Sequence, residues 1–215
     1  MTKYKLIALD MDGTLLKSDK SLDPATICDI EAAAAQGIQA VYCSGRGVME
    51  LSSYIAALPC MRYAVCMSGA LVYDLQERKR IFSRSVPGAC VREIVKAAGR
   101  YDAMLHFLTE EESVARTDQA SHMAEFHMGI FQPMFMALTR RVEDMALEAL
   151  RHDAIPKVNV YFRSPKDRME AYEMLKSLPL SFAFAEATAL EINAQGVPKA
   201  VGLQALAAHL GIHME

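Results

Sequence analysis

The sequence has no C-x-x-C pair among its five cysteines, Cys28, Cys43, Cys60, Cys66 and Cys90. An odd count, with most of them inside apolar runs, points to buried reduced thiols rather than a disulfide frame. Charge excess is also missing: a formal net charge of -3 and a pI near 6.1 give no global attraction to nucleic acid or to an anionic membrane. Neither is an expected partner, so any anionic ligand must be met by a local site. No long apolar run opens the chain, because only four apolar residues stand between Lys5 and Asp10, far short of a signal or spanning segment. The expected compartment is therefore the cytoplasm. Internal repeats, low-complexity tracts and Gly/Ser linkers are absent too, which favours a second domain inserted into the first over one tethered to it. The six histidines show no metal-ligand spacing, and His122 and His127, five apart, read as surface or packing residues.

What is present, over 215 residues, is enough apolar chain to bury a core without staples. Leu6-Ile7-Ala8-Leu9 is a continuous apolar run closed by Asp10 and Gly13, and it predicts a strand buried on both faces. Asp23-Pro24 supplies a cap and a first-turn proline, alanines 32 to 35 carry the helix, and Gly37 stops it. Residues 38–43 give a second strand, 48–58 a helix and 64–67 a third strand. Such a β-α-β-α-β series implies right-handed crossovers and a parallel sheet. Beyond Gly69, residues 70–74 and 80–83 predict a hairpin leading out of the core, with a domain boundary near Ser83. From there helices are expected at 87–100, 142–151 and 166–178, and strands at 104–108, 157–163 and 181–185. Between them, His122 to Met136 is rich in methionine and phenylalanine, and reads as core packing rather than as a ligand pocket. Glu191-Ile192-Asn193 and a helix ending at Leu210, capped by Gly211, then resume the core-like pattern.

The chemistry concentrates in three places. Asp10-Met11-Asp12-Gly13-Thr14 puts two carboxylates two residues apart just past a strand, where ligand sites of open α/β sheets gather. An extended segment curving into a turn can aim both at one volume, one as nucleophile and one as proton donor and acceptor. Cys43-Ser44-Gly45-Arg46 ends the second strand with a small turn and a cation, and Gly196-Val197-Pro198-Lys199 opens the last helix with another. Together these resemble, in order, the DxDGT, (S/T)GR and GVSKG motifs of haloacid-dehalogenase-type phosphatases of the Cof-like, type IIB group.

The resemblance implies an α/β fold with a doubly wound parallel-sheet core of Rossmannoid type at residues 1–83 and 186–215, and an inserted α/β cap at 84–185. It implies a hydrolase that takes small phosphorylated metabolites, sugar phosphates included. In that family Asp10 would be phosphorylated, Asp12 would act as acid/base, and Thr14 would orient the loop. Ser44, Gly45 and Arg46 would meet phosphoryl oxygens, and Lys199 would neutralise the nucleophile and phosphate. Mg²⁺ would sit on the Asp10 carboxylate and the Asp12 carbonyl. Ser68-Gly69-Ala70 stands where the group carries Asn-Gly-Ala, so Ser68 departs from the pattern at a position expected to contact phosphate or substrate together with Gly69.

A fourth family motif, an acidic GDxxND-like loop, is expected soon after Ile212, and no Asp follows Asp167. The core is therefore expected to be C-terminally truncated, with weak Mg²⁺ binding and self-association through a bare edge of the first strand. Two other readings stay open at this point: a catalytically defective phosphate-binding or interaction protein, and a phosphomannomutase-like phosphotransferase.

Overall fold

A computed structural model describes residues 4–213, which divide into two compact units, one made of residues up to Ser83 and from Val197 onward, the other of Arg84–Gly196.

The first unit opens with β1 (Leu6–Leu9), α1 (Pro24–Ala35), β2 (Gln39–Cys43), α2 (Ser52–Ala57) and β3 (Tyr63–Cys66). The Asp23 carboxylate accepts from Ala25 N–H at 2.9 Å with Pro24 in the first turn, and Gly37, at φ +82°, lets the chain leave α1 with its N–H on Ala34 O. β1, β2 and β3 pair in parallel in that order. The segment predicted as one helix over 48–58 is instead a 3₁₀ turn at Met49–Leu51 followed by the short α2.

Two expectations are corrected in this sheet. β1 is not buried on both faces: among the described residues it is an edge strand, Ala8 is exposed and Ile7 is 38% exposed. The hairpin β4 (Leu71–Asp74) and β5 (Lys79–Ser83) does not lead out of the core either. It pairs antiparallel onto β3 and extends the same five-stranded sheet, because Leu71, Val72 and Asp74 find buried positions there.

The second unit begins with β6 (Val86–Pro87) and α3 (Gly88–Gly99), followed by β7 (Met104–Leu108), β8 (Ser113–Arg116), α4 (Thr117–Ala120) and α5 (Gln132–Leu138). It continues through β9 (Thr139–Val142), α6 (Met145–Ala149), β10 (Ala154–Ile155), β11 (Lys157–Tyr161), α7 (Pro165–Leu175), β12 (Leu180–Ala185) and β13 (Ala189–Ala194). Six strands form one sheet in the order β12-β13-β11-β7-β8-β9. One face packs Leu105, Phe107, Val158, Val160, Leu190 and Ile192 against α3, α6 and α7. The other is partly covered by the methionine-rich segment, whose Met123, Phe126, Met128 and Phe135 bury against Met104, Ala115 and Tyr161.

The second unit differs from expectation at five strands, of which β6 and β10 are an unanticipated pair of two-residue strands. β8 and β9 were not anticipated, and β9 shortens the helix predicted over 142–151 to α6, which Asp144 caps through Ala146 N–H and Leu147 N–H. The sequence places the return to the core at residue 186, which would give β13 to the first unit. β13 lies instead between β11 and β12, so the first unit resumes at Val197. There α8 (Lys199–His209) returns to the first sheet, where Leu206 joins Val41, Val65 and Val72. A Cβ on Gly202 would stand 2.6 Å from Val65 Cγ1, so this residue sets how close α8 lies to β3.

Candidate functional site

Asp10 is the first residue past β1. From there the chain curls: Leu15 N–H reaches Asp10 O at 3.0 Å, Leu16 N–H reaches Met11 O at 2.9 Å, and Gly13 takes φ +79°. Met11 is fully buried while the Asp10 and Asp12 side chains are 47% and 41% exposed. The inward methionine thus anchors the turn and leaves the two carboxylates facing outward, as alternation in an extended segment requires. Thr14 is exposed on the same curl, tied in by its N–H to Met11 O.

Each carboxylate has its own cation. Asp10 Oδ1 accepts from Lys199 Nζ at 2.8 Å and from Met11 N–H at 2.9 Å. Lys199 can reach it because it is the first residue of α8, and that helix start is pressed against the turn after β3. A Cβ on Gly69, at φ +102°, would lie 2.4 Å from Pro198 O. Asp12 is gripped by Arg46, with Nε donating to Oδ2 at 3.0 Å and an NH2 to Oδ1 at 2.9 Å, and by Lys20 Nζ, donating to Oδ1 at 2.8 Å. Partial burial, the largest single influence, pushes the Asp12 carboxyl up. The hydrogen bonds and charges of Arg46 and Lys20 together outweigh it and hold the group below the usual carboxylate range.

The turn after β2 holds Ser44, Gly45 and Arg46. Ser44 is buried, its Oγ accepting from Arg46 N–H at 3.2 Å and its carbonyl accepting from Ser68 N–H at 3.0 Å. Gly45 lies between them in the chain, and Glu50, a buried carboxylate, closes the loop by accepting from Gly47 N–H at 2.6 Å. Met67, Ser68 and Gly69 all have positive φ, at 52°, 60° and 102°. Serine at φ 60° occupies a region that asparagine adopts more readily, so the departure at Ser68 is a conformational cost as well as a chemical change.

All the residues singled out from sequence therefore lie in the first unit: Asp10 with Lys199, Asp12 with Arg46, Ser44 with Ser68 through the backbone, and Gly69 under Lys199. Three residues at the site were not anticipated: Lys20, Glu50 and Tyr54, whose ring faces the Arg46 guanidinium. Lys20 stands in a polar turn, where a lone lysine reads as solvated. The signal that could have found it is the return of the chain after Asp12, marked by Leu16 and Leu22, which bridge to each other. Among the described residues, no cluster of three or more His, Cys, Asp or Glu side chains forms a metal-holding group, and no helix is long and apolar enough to cross a membrane.

The second unit carries a polar row on the sheet face away from α3 and α7. His106, fully buried, contacts Ser113 Oγ at 2.6 Å and Tyr161 OH at 3.3 Å, and Lys157, 1% exposed, donates to Glu191 at 2.7 Å. Burial first, then the Lys157 charge, lowers the His106 pKa to about 3, so the ring is neutral. His122 and His127 lie at the surface, hydrogen bonded to the Asp118 and Arg163 carbonyls.

The family model of the haloacid dehalogenase-like hydrolases matches residues 7–215. An HMP-PP phosphatase of Serratia proteamaculans is 25% identical over 222 residues, covering 98% of this chain and 74% of its own. The pyridoxal phosphate phosphatase YbhA of Escherichia coli is 24% identical over 169 residues, covering 72% and 61%. Among solved structures, a haloacid dehalogenase-like hydrolase from Bacteroides thetaiotaomicron superposes with a TM-score of 0.83 at 19% identity, covering 98% of this chain and 78% of that one. A sugar phosphatase of HAD subclass IIB gives 0.80 at 16%, covering 97% and 77%. With two outward carboxylates past the first strand, a serine turn past the second and a lysine at the start of α8, the chain belongs to the haloacid dehalogenase-like hydrolases, an enzyme family, and has the fold of their type IIB members.

Proposed function

We propose that the protein hydrolyses small organic phosphate monoesters in two steps through a phosphorylated Asp10. The observation that carries this reading is the 2.8 Å contact of Lys199 Nζ with Asp10 Oδ1, which leaves Asp10 Oδ2 uncommitted beside a fixed positive charge. Named relatives act on HMP-PP, pyridoxal phosphate and sugar phosphates. These share a compact organic group on a phosphate, and this is the substrate class proposed here.

In the first step Asp10 Oδ2 bonds to phosphorus as the bond from phosphorus to the ester oxygen breaks, and the Asp12 carboxylate, ionised between its cations, takes the proton carried by the phosphate monoanion and passes it to the departing oxygen. In the second, a water oxygen bonds to phosphorus, Asp12 takes a proton from that water, and the acyl-phosphate bond to Asp10 breaks. Lys199 holds negative charge beside Asp10 throughout. Ser44, Gly45 and Arg46, with Ser68 and Gly69 across the neighbouring turn, offer hydroxyl, amide and guanidinium donors for the phosphoryl oxygens. The donor set suits Mg²⁺, since a carboxylate from Asp10 and the Asp12 carbonyl are hard oxygens of the kind that ion takes beside a substrate phosphate. When bound, Mg²⁺ would offset the charge of the phosphoryl group. The inserted second unit is proposed as the cap that selects the organic group.

Phosphate release from a panel of sugar, pyridoxal and aryl phosphates, with Mg²⁺ and with chelator, tests the assignment. Asp10→Asn, which removes the nucleophile at nearly constant volume, is expected to abolish release while leaving the circular dichroism spectrum unchanged. Retention of more than about a few per cent of wild-type turnover by that variant would overturn the nucleophile.

A further inference from the structure

The two cations on Asp12 share a support that the proposed chemistry has not used. Tyr54, in α2, donates its hydroxyl to Lys20 O at 3.0 Å, and the face of its ring lies 5.5 Å from the Arg46 guanidinium carbon. Tyr42 OH in turn donates to Tyr54 O at 2.9 Å, which ties α2 back to β2. Lys20 needs such a hold, since it is a non-glycine residue at φ 67°, in a turn closed by its own N–H to Lys17 O.

The consequence lies in the carboxylate. An ionised carboxylate has about four lone-pair positions. Asp12 Oδ1 accepts from Lys20 and from Arg46, and Oδ2 accepts from Arg46 alone. Three positions are filled, and the open one is on Oδ2.

We infer that Lys20, Arg46 and Tyr54 form a clamp that fixes the rotation of the Asp12 carboxylate and assigns proton transfer to its Oδ2. This rests on the reading of Asp12 as acid and base. Lys20 and Tyr54 are then positioning residues: they touch neither the phosphoryl group nor the leaving group and act through Asp12. In the first step the proton leaves Oδ2 for the ester oxygen as the bond from phosphorus to that oxygen breaks. In the second, Oδ2 receives the proton of the attacking water. A carboxylate free to rotate would present the correct oxygen only part of the time, and the loss falls on leaving groups that need protonation.

Two measurements on the full chain decide it. The first follows exchange of the Arg46 Nε–H proton by NMR, which needs no turnover. Protection is expected in the wild type and in Tyr54→Phe, where the ring remains, and is expected to be lost in Asp12→Asn and Tyr54→Leu. An unprotected wild-type signal, or protection surviving in Tyr54→Leu, would overturn the clamp. The second compares an alkyl with an aryl phosphate. Lys20→Met should lower kcat on the alkyl ester by about tenfold or more and on the aryl ester by at most about threefold, with KM little changed and Lys20→Arg restoring much of the loss. Equal falls on both esters, or a change confined to KM, would refute the positioning role. Full turnover by Asp10→Asn, or none by the wild type, counts against the proposed reaction instead, and the exchange measurement still judges the clamp.

Discussion

Gly69→Ala tests the part of the fold on which Lys199 depends. At φ +102° the backbone is in a region that costs a residue with a Cβ roughly 1–2 kcal/mol. The added methyl would also stand 2.4 Å from Pro198 O, 2.8 Å from its carbonyl carbon and 2.9 Å from Lys199 Cα. All three are backbone atoms, so no side-chain rotation can relieve the contact, and such overpacking costs about 1–3 kcal/mol. The sum, roughly 2–5 kcal/mol, is a large share of the 5–15 kcal/mol by which a domain is ordinarily stable. Gly37→Ala is the control: φ is +82° but nothing lies within 4 Å of the added Cβ, so only the conformational cost of about 1 kcal/mol applies. Urea denaturation followed by circular dichroism should show Gly69→Ala the less stable of the two by at least about 1 kcal/mol, with a similar m value. Turnover should fall as well, because the clash displaces the first residue of α8 and with it the 2.8 Å contact to Asp10. Equal stability of the two variants would refute the close approach of the β3 turn to α8, and with it the account of how Lys199 is placed.

Three further outcomes follow from single groups. His106 is neutral in the fold, with a pKa near 3 against an ordinary 6.5, so below pH 6.5 the unfolded chain takes a proton that the folded one does not. Stability should therefore fall as pH drops, by up to about 1.4 kcal/mol per unit, and His106→Gln should flatten the dependence between pH 5 and 6.5 as read by urea titration. Asp74, buried at the β4 to β5 turn, accepts from Gln76 N–H, Glu77 N–H and Arg62, so Asp74→Ala should cost about 2–4 kcal/mol in the same assay, and a cost under about 1 kcal/mol would contradict that network. Asp12→Asn should slow alkyl phosphates far more than aryl phosphates, whose leaving groups need little protonation, and an equal loss on both would argue against its role as acid.

What could be read from the sequence was what is local. Asp10 to Thr14 announces its turn by composition, since Gly13 must take positive φ and Met11 must go inward if its two neighbours face out. The cap and stop of α1 are equally local, and Asp23, Pro24 and Gly37 do what their chemistry predicts. Pairing partners are not local. Leu6-Ile7-Ala8-Leu9 reads as fully buried because four apolar residues in a row carry no information about how many strands lie beside them, and the described sheet supplies one, β2. Glu191-Ile192-Asn193 alternates as any half-buried strand would. Its membership of the second unit is decided by Lys157 and Asn193 meeting in register across β11 and β13, although 36 positions separate them in sequence. Ser113–Arg116 is too short for periodicity and is a strand only because β7 and β9 lie on either side of it.

The same distinction explains why the surroundings of Asp10, the proposed nucleophile, were easier to find than those of Asp12, the proposed acid/base. Asp10 is served by Lys199, which opens a helix and follows Gly-Val-Pro, so its position carries a pattern. Asp12 is served by Arg46, which shares a motif with Ser44, and by Lys20, which belongs to none. Lys20 reaches Asp12 because the chain after Leu15 doubles back, with Lys17 N–H on Ser21 O at 3.0 Å and Tyr54 holding the turn through a hydroxyl contributed by a residue 34 positions away. A lysine, a tyrosine and an arginine at such separations look unrelated in a sequence. They come together only when β2 has placed its turn beside that of β1: Lys20 and Arg46 then meet on the Asp12 carboxylate, with Tyr54 against both.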